Sequence, residues 1–163
     1  MIQALILTAV MMAQPQSGGT VAVGDWLVGA QGGKCSAVHF LDREAGGRVN
    51  VQGRALLYTL DGPGRSITFQ DPSWRFQPGE RPGYALRFER GGQEFETAAA
   101  VSRAGNSVTT VSDSSGAALD RAFTRSTTLA LRYRGETLGA FDISGSAEVL
   151  SALQRCAAGA PKG

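Results

Sequence analysis

The stretch Ala85-Leu86-Arg87-Phe88-Glu89-Arg90-Gly91-Gly92-Gln93-Glu94-Phe95 decides the fold class. Its first half alternates. Leu86 and Phe88 fall on one face of an extended strand, and Arg87 and Glu89 fall on the other. The Gly91-Gly92 pair then accepts the positive φ angles of a tight turn, so the chain reverses as a β-hairpin. A similar unit follows about 45 residues further on: Leu129-Ala130-Leu131-Arg132-Tyr133-Arg134, a turn at Gly135-Glu136, then Thr137-Leu138. Here Leu131 and Tyr133 share a face, and Arg132 and Arg134 share the opposite one.

Working outward, strand signals dominate from Val21 to Ser144. Short runs of β-branched, aromatic and aliphatic residues are separated by Gly, Pro, Asp and Ser. Strands are expected over 25–29, 36–41, 55–60, 66–70, 84–90, 93–101, 107–113, 127–134 and 137–143. Breaks fall at Gly46-Gly47, Asp61-Gly62-Pro63-Gly64, Asp71-Pro72 and Gln77-Pro78-Gly79.

The periodicity changes near the end. Val149, Leu150, Leu153 and Cys156 fall at helical spacing, with Ser146 as the expected N-cap, Glu148 in the first turn and Arg155 in the last. The expected fold is mainly β: an antiparallel β-sandwich or partly closed barrel with one C-terminal α-helix laid on the sheets.

The chain opens MIQALILTAVMMAQPQ, with an apolar run from Ala4 to Ala13. That run has the length of a secretory h-region and is too short to span a bilayer. The expected organisation is a signal peptide over 1–13, a linker over 14–22, one β-sandwich domain over 23–158 and a frayed tail over 159–163. No other segment approaches 18 consecutive apolar residues, so no transmembrane span is expected in the mature chain. In an oxidising compartment the only two cysteines, Cys35 and Cys156, are expected to form a disulfide. Two free thiols or an intermolecular bridge are the alternatives.

The residues present argue against several chemistries. The formal net charge is +2, and it is spread evenly, so no nucleic-acid partner is indicated. With a single His (His39), no Cys-x-x-Cys and no Asp/Asn-rich calcium loop, no metal site or cofactor is expected. Cys35 and His39 lie four apart on an expected strand, about 13 Å of extended chain, too far for proton transfer. No Gly-x-Ser-x-Gly occurs, and Ser144 and Ser146 read as turn and cap residues. Gly29-Ala30-Gln31-Gly32-Gly33-Lys34-Cys35 lacks the first glycine and the Ser/Thr of a phosphate loop, so it reads as a hairpin turn. No catalytic residue is therefore assigned. The aromatic residues Trp26, Trp74, Phe76, Tyr84, Phe88 and Phe95 read as sandwich core, with a ligand groove as the alternative; Trp74, Phe76 and Tyr84, in and after a proline-flanked, loop-rich stretch, are the first candidates for any binding surface.

Several short features lie together at the two ends: Gly24-Asp25-Trp26 followed by Cys35, and Phe141-Asp142-Ile143-Ser144-Gly145-Ser146 leading to a helix with Cys156. With the Asp71-Pro72-Ser73-Trp74 turn, this layout resembles small secreted bacterial proteins of the invasion-associated locus B family. It departs from that pattern in having only Cys35, with no further cysteine, near the first Trp. The resemblance implies a periplasmic or surface-associated β-sandwich, without known catalysis, linked to the cell envelope or host contact. The functional expectation is an exported, non-enzymatic domain that binds a protein or envelope component. The alternative is a small secreted hydrolase or inhibitor-like module with an aromatic groove near Trp74.

Overall fold

A computed structural model describes residues 19–77, 79–80, 83–89, 94–96, 99–112 and 116–159. In chain order the elements are β1 (Val21–Val23), β2 (Trp26–Gln31), β3 (Lys34–Phe40), β4 (Ala55–Asp61), β5 (Gly64–Gln70), β6 (Gly79–Glu80) and β7 (Tyr84–Phe88). They continue with β8 (Glu94–Glu96), β9 (Ala99–Ala104), β10 (Ser107–Ser112), α1 (Gly116–Arg125), β11 (Thr128–Tyr133), β12 (Glu136–Asp142) and α2 (Ser146–Gly159).

The strands form two antiparallel sheets. The larger runs β1-β2-β3-β4-β5-β10-β9-β6, and the smaller runs β12-β11-β7-β8. The sheets stay open and do not close into a barrel. The first five strands are a meander, because each is joined to the next by a connection that allows reversal. Gly32 (φ 58°) and Gly33 (φ 77°) fill the two-residue turn between Gln31 and Lys34. This is the hairpin expected there in place of a phosphate loop, and both positions need the left-handed backbone that glycine reaches without a Cβ clash.

Side-chain alternation sets the layers. Trp26 and Val28, Cys35 and Ala37, Leu56, Tyr58 and Leu60, and Ile67 and Phe69 project from the large sheet into one core. Leu86, Phe88, Leu129, Leu131 and Phe141 of the small sheet enter the same core. Phe69 meets Phe141 across the sheets edge-to-face, with ring centroids 5.1 Å apart. The two helices complete the second layer: α2 lies on β2 and β3, and α1 lies against α2 and β5. On the outer face, Val38, Phe40 and Ala55 make a satellite cluster with Val51 of the 41–54 connection.

The two hairpins that resemble each other in sequence lie side by side. β7 pairs with β11 in the register Tyr84↔Tyr133, Leu86↔Leu131 and Phe88↔Leu129. Their apolar faces therefore form one continuous surface, which the large sheet covers.

Several details differ from the sequence reading. Among the described residues there are two helices, not one, since α1 occupies a stretch left unassigned. The second hairpin turns at Arg134-Gly135, with φ of 49° and 86°, not at Gly135-Glu136. Pairing of Tyr133 with Glu136 leaves only those two residues to make the turn, and both adopt positive φ. The first hairpin's Gly91-Gly92 lies outside the described residues. The expected strand 93–101 is two strands belonging to different sheets, β8 and β9. The stretch read as a linker ends in β1, which pairs with β2 at the edge of the large sheet. α2 runs through Gly159, into the expected tail.

Cys35 and Cys156 are joined, with Cα atoms 6.0 Å apart, and the bond ties β3 to the last turns of α2. No helix among the described residues is long and apolar enough to cross a membrane.

Candidate functional site

The C-terminal end of α1 and the N-terminal end of α2 meet at a cleft of about 410 Å³ lined by residues 124–127 and 144–148. One wall is the last turn of α1 and the strand entry after it. The other is the β12–α2 turn and the first turn of α2. Ala147 is the one apolar side chain in the lining; hydroxyls, a guanidinium and a carboxylate supply most of the rest.

The cleft is held from behind by the core. Trp26 Nε1 donates to the Ser144 carbonyl at 3.2 Å. His39 Nδ1 lies 3.0 Å from the Asp142 carbonyl, and its ring packs on Trp26 with centroids 5.0 Å apart. Ser146 Oγ donates to the Phe123 carbonyl at 2.6 Å, tying the two helices together. Ser146 was the expected N-cap. The first helical bond of α2 instead runs from Val149 N–H to the Gly145 carbonyl, at 3.2 Å. The cap position is therefore Gly145, at φ 78°, and the Ser146 hydroxyl is free to serve α1.

Hydrogen bonds from Ser144 hold the Asp142 carboxyl below the usual carboxylate range, and the backbone N–H of Ser144 donates to it at 2.8 Å. Among the described residues five ion pairs form, and neither Arg125 nor Glu148 belongs to one. The backbone N–H groups of Ala147 and Glu148 have no acceptor among the described residues. The cleft therefore presents both donors and acceptors on a fixed frame. His39, behind the cleft, is engaged by the Trp26 ring and the Asp142 carbonyl.

The α1 wall is fixed by a group of residues that sequence reading missed. Arg65 Nε and Nη2 donate to the two carboxylate oxygens of Asp120 at 2.8 and 2.6 Å, and Tyr58 Oη donates to the same carboxylate at 2.7 Å. Both charged side chains are largely buried, at 12% and 11% exposed. Arg65 also donates to the Gly64 carbonyl at 2.7 Å, so the fork is nearly saturated. Burial first, then the Asp120 carboxylate, pushes the Tyr58 phenol well above its ordinary range, so it remains a donor. The hydrogen bond to Asp120 raises the Arg65 pKa further. Gly116 at the start of α1 sits against the Pro63 carbonyl and the Arg65 guanidinium, with no room for a Cβ. The signal for α1 was present in the spacing of Leu119, Ala122 and Phe123, but its anchors lie 55 and 62 residues away in sequence.

The candidate surface of Trp74, Phe76 and Tyr84 is not one surface. Trp74 and Phe76 are in ring contact at 5.1 Å, and Trp74 also packs on Phe141 at 6.1 Å. Tyr84 is buried on β7 against Tyr133, at 4.7 Å. Trp74 is only 9% exposed. The Asp71 carboxylate accepts from Ser73 N–H at 2.8 Å and Ser73 Oγ at 2.6 Å, which turns the chain so that the indole closes one end of the sandwich. The indole lies over Gly139, where a Cβ would come within 3.1 Å of it. The proline-flanked stretch is thus a plug, and these aromatic residues contribute to the core instead of a groove.

Among the described residues no group of three or more His, Cys, Asp or Glu side chains is placed to hold a metal ion. Cys35 and His39 lie on one strand with separate partners, the disulfide and the Trp26 ring. No family model, curated protein or solved structure matches the chain.

Proposed function

We propose that this chain is an exported β-sandwich domain of the bacterial cell envelope that acts by binding, with the cleft between α1 and α2 as its contact site. The observation that carries the reading is the Cys35–Cys156 bond across 121 residues. Such a bond forms and persists in oxidising compartments, and the leader-like run from Ala4 to Ala13 supports delivery there. The resemblance to the invasion-associated locus B family supports the same placement. A binding role is favoured because His39 is held under Trp26, Asp120 under Arg65 and Tyr58, and both cysteines in the bond.

The test is a fusion of residues 1–22 to a phosphatase reporter that is active only when its own disulfides form outside the cytosol. The proposal expects activity from the fusion and loss of that activity when the Ala4–Ala13 run is deleted. An inactive fusion overturns the export reading.

A further inference from the structure

We propose that the cleft between α1 and α2 binds a small zwitterion, an α-amino acid or a short peptide with both termini free. This inference rests on the binding role proposed above and names its ligand class. A cleft of about 410 Å³ suits a ligand of one or two residues. The chemistry of its walls narrows the class. The lining has no aromatic ring, so nothing stacks on the flat face of a sugar or base. Two opposite charges stand on the two walls.

Arg125 comes from the α1 side and Glu148 from the α2 side, and neither has a partner among the described residues. A carboxylate on the ligand meets the guanidinium, which is shaped for two parallel hydrogen bonds. An ammonium on the same ligand meets Glu148. The uncharged Thr127 hydroxyl serves the peptide unit between them. The frame is set before binding, because the Ser144, Asp142 and Phe123 carbonyls are held by Trp26, His39 and Ser146. Each charge also complements the dipole of its own helix. A purely dipolar role predicts that neither residue affects any ligand, so the two accounts are separable.

The experiment uses the full, oxidised chain labelled with ¹⁵N and titrated with alanine, Ala-Ala, N-acetyl-Ala-Ala and Ala-Ala amide. The proposal expects millimolar or tighter binding of alanine or Ala-Ala, with amide shifts concentrated in residues 124–127 and 144–148. Blocking either terminus is expected to weaken binding at least tenfold. Arg125→Gln is expected to abolish the preference for a free carboxylate, and Glu148→Gln the preference for a free amine. Both variants should keep the wild-type circular dichroism spectrum. Tighter Ala-Ala than alanine identifies a peptide end, and equal affinity identifies a free amino acid. Equal response to free and blocked peptides, or no response in those residues, overturns the ligand assignment. The phosphatase fusion is unaffected by that outcome, so the export reading stands or falls separately.

Discussion

Replacing both cysteines, Cys35→Ala with Cys156→Ala, tests how the two ends of the chain hold together. The bond closes a loop of 121 residues. In the chain-entropy relation, releasing that constraint from the unfolded chain costs about 5 kcal/mol of stability at 25 °C. The native state changes less, because Val149, Leu150, Ala152 and Leu153 still hold α2 on the core without the bond. Cys35 itself is only 2% exposed, so alanine there removes one sulfur from a packed site and leaves no polar group stranded. For a domain of this size, each kcal/mol corresponds to about 2–4 °C in Tm, so a fall of about 10–20 °C is expected. Urea unfolding followed by far-ultraviolet circular dichroism should show the same loss, with a larger m value as the unfolded chain expands. Wild-type protein kept in a reductant should match the double variant. A loss under about 1 kcal/mol would refute the idea that this bond constrains the unfolded chain.

Asp120→Ala leaves the Arg65 guanidinium mostly buried without its carboxylate and frees Tyr58; a loss of about 3 kcal/mol is expected in urea unfolding. A loss below about 1 kcal/mol would mean that α1 is held by its apolar stripe alone. The Asp42 carboxyl is held below its ordinary range, chiefly by hydrogen bonding from the Arg54 side chain, and Asp142 is held low by Ser144. A lowered carboxylate pKa contributes stability that is present above the unfolded value of about 3.9 and is lost as pH falls through the folded value. The urea midpoint should therefore fall as pH drops below about 4, and Asp42→Asn with Asp142→Asn should flatten that decline; an unchanged profile contradicts the assignment. Gly139→Ala places a Cβ about 3.1 Å from the Trp74 ring and 3.2 Å from the Phe141 ring. A loss of about 1–3 kcal/mol with a shift in tryptophan emission is expected, and unchanged emission would mean that Trp74 does not cover that strand.

Legibility in the sequence followed the range of the interactions. The alternation in Leu86, Phe88, Leu129, Leu131 and Tyr133 is local, and it located both hairpins and the face that each buries. The stripe of Val149, Leu150 and Leu153 located α2 for the same reason. α1 was missed because its ten residues are polar on average and begin with Gly116, while the group that fixes it is supplied by β4 and β5. Nothing near Asp120 in sequence marks it as buried; its partners arrive only when the sheet forms. For Trp74 the sequence left core and surface both open, by the converse effect. Two flanking prolines signal a loop, and the loop is real, but its Asx turn directs the indole into the sandwich end. The α1–α2 cleft shares this origin, since its two walls lie about 20 residues apart in sequence and meet through the Ser146–Phe123 bond.

The most direct test of the central claim is the intact mass of the protein purified from the native cell envelope, alkylated with and without prior reduction. The account predicts a chain lacking residues 1–13 in which the two cysteines alkylate only after reduction. An uncut chain with two freely reactive thiols would contradict it, placing the protein in a reducing compartment and removing the bond on which the proposed function rests.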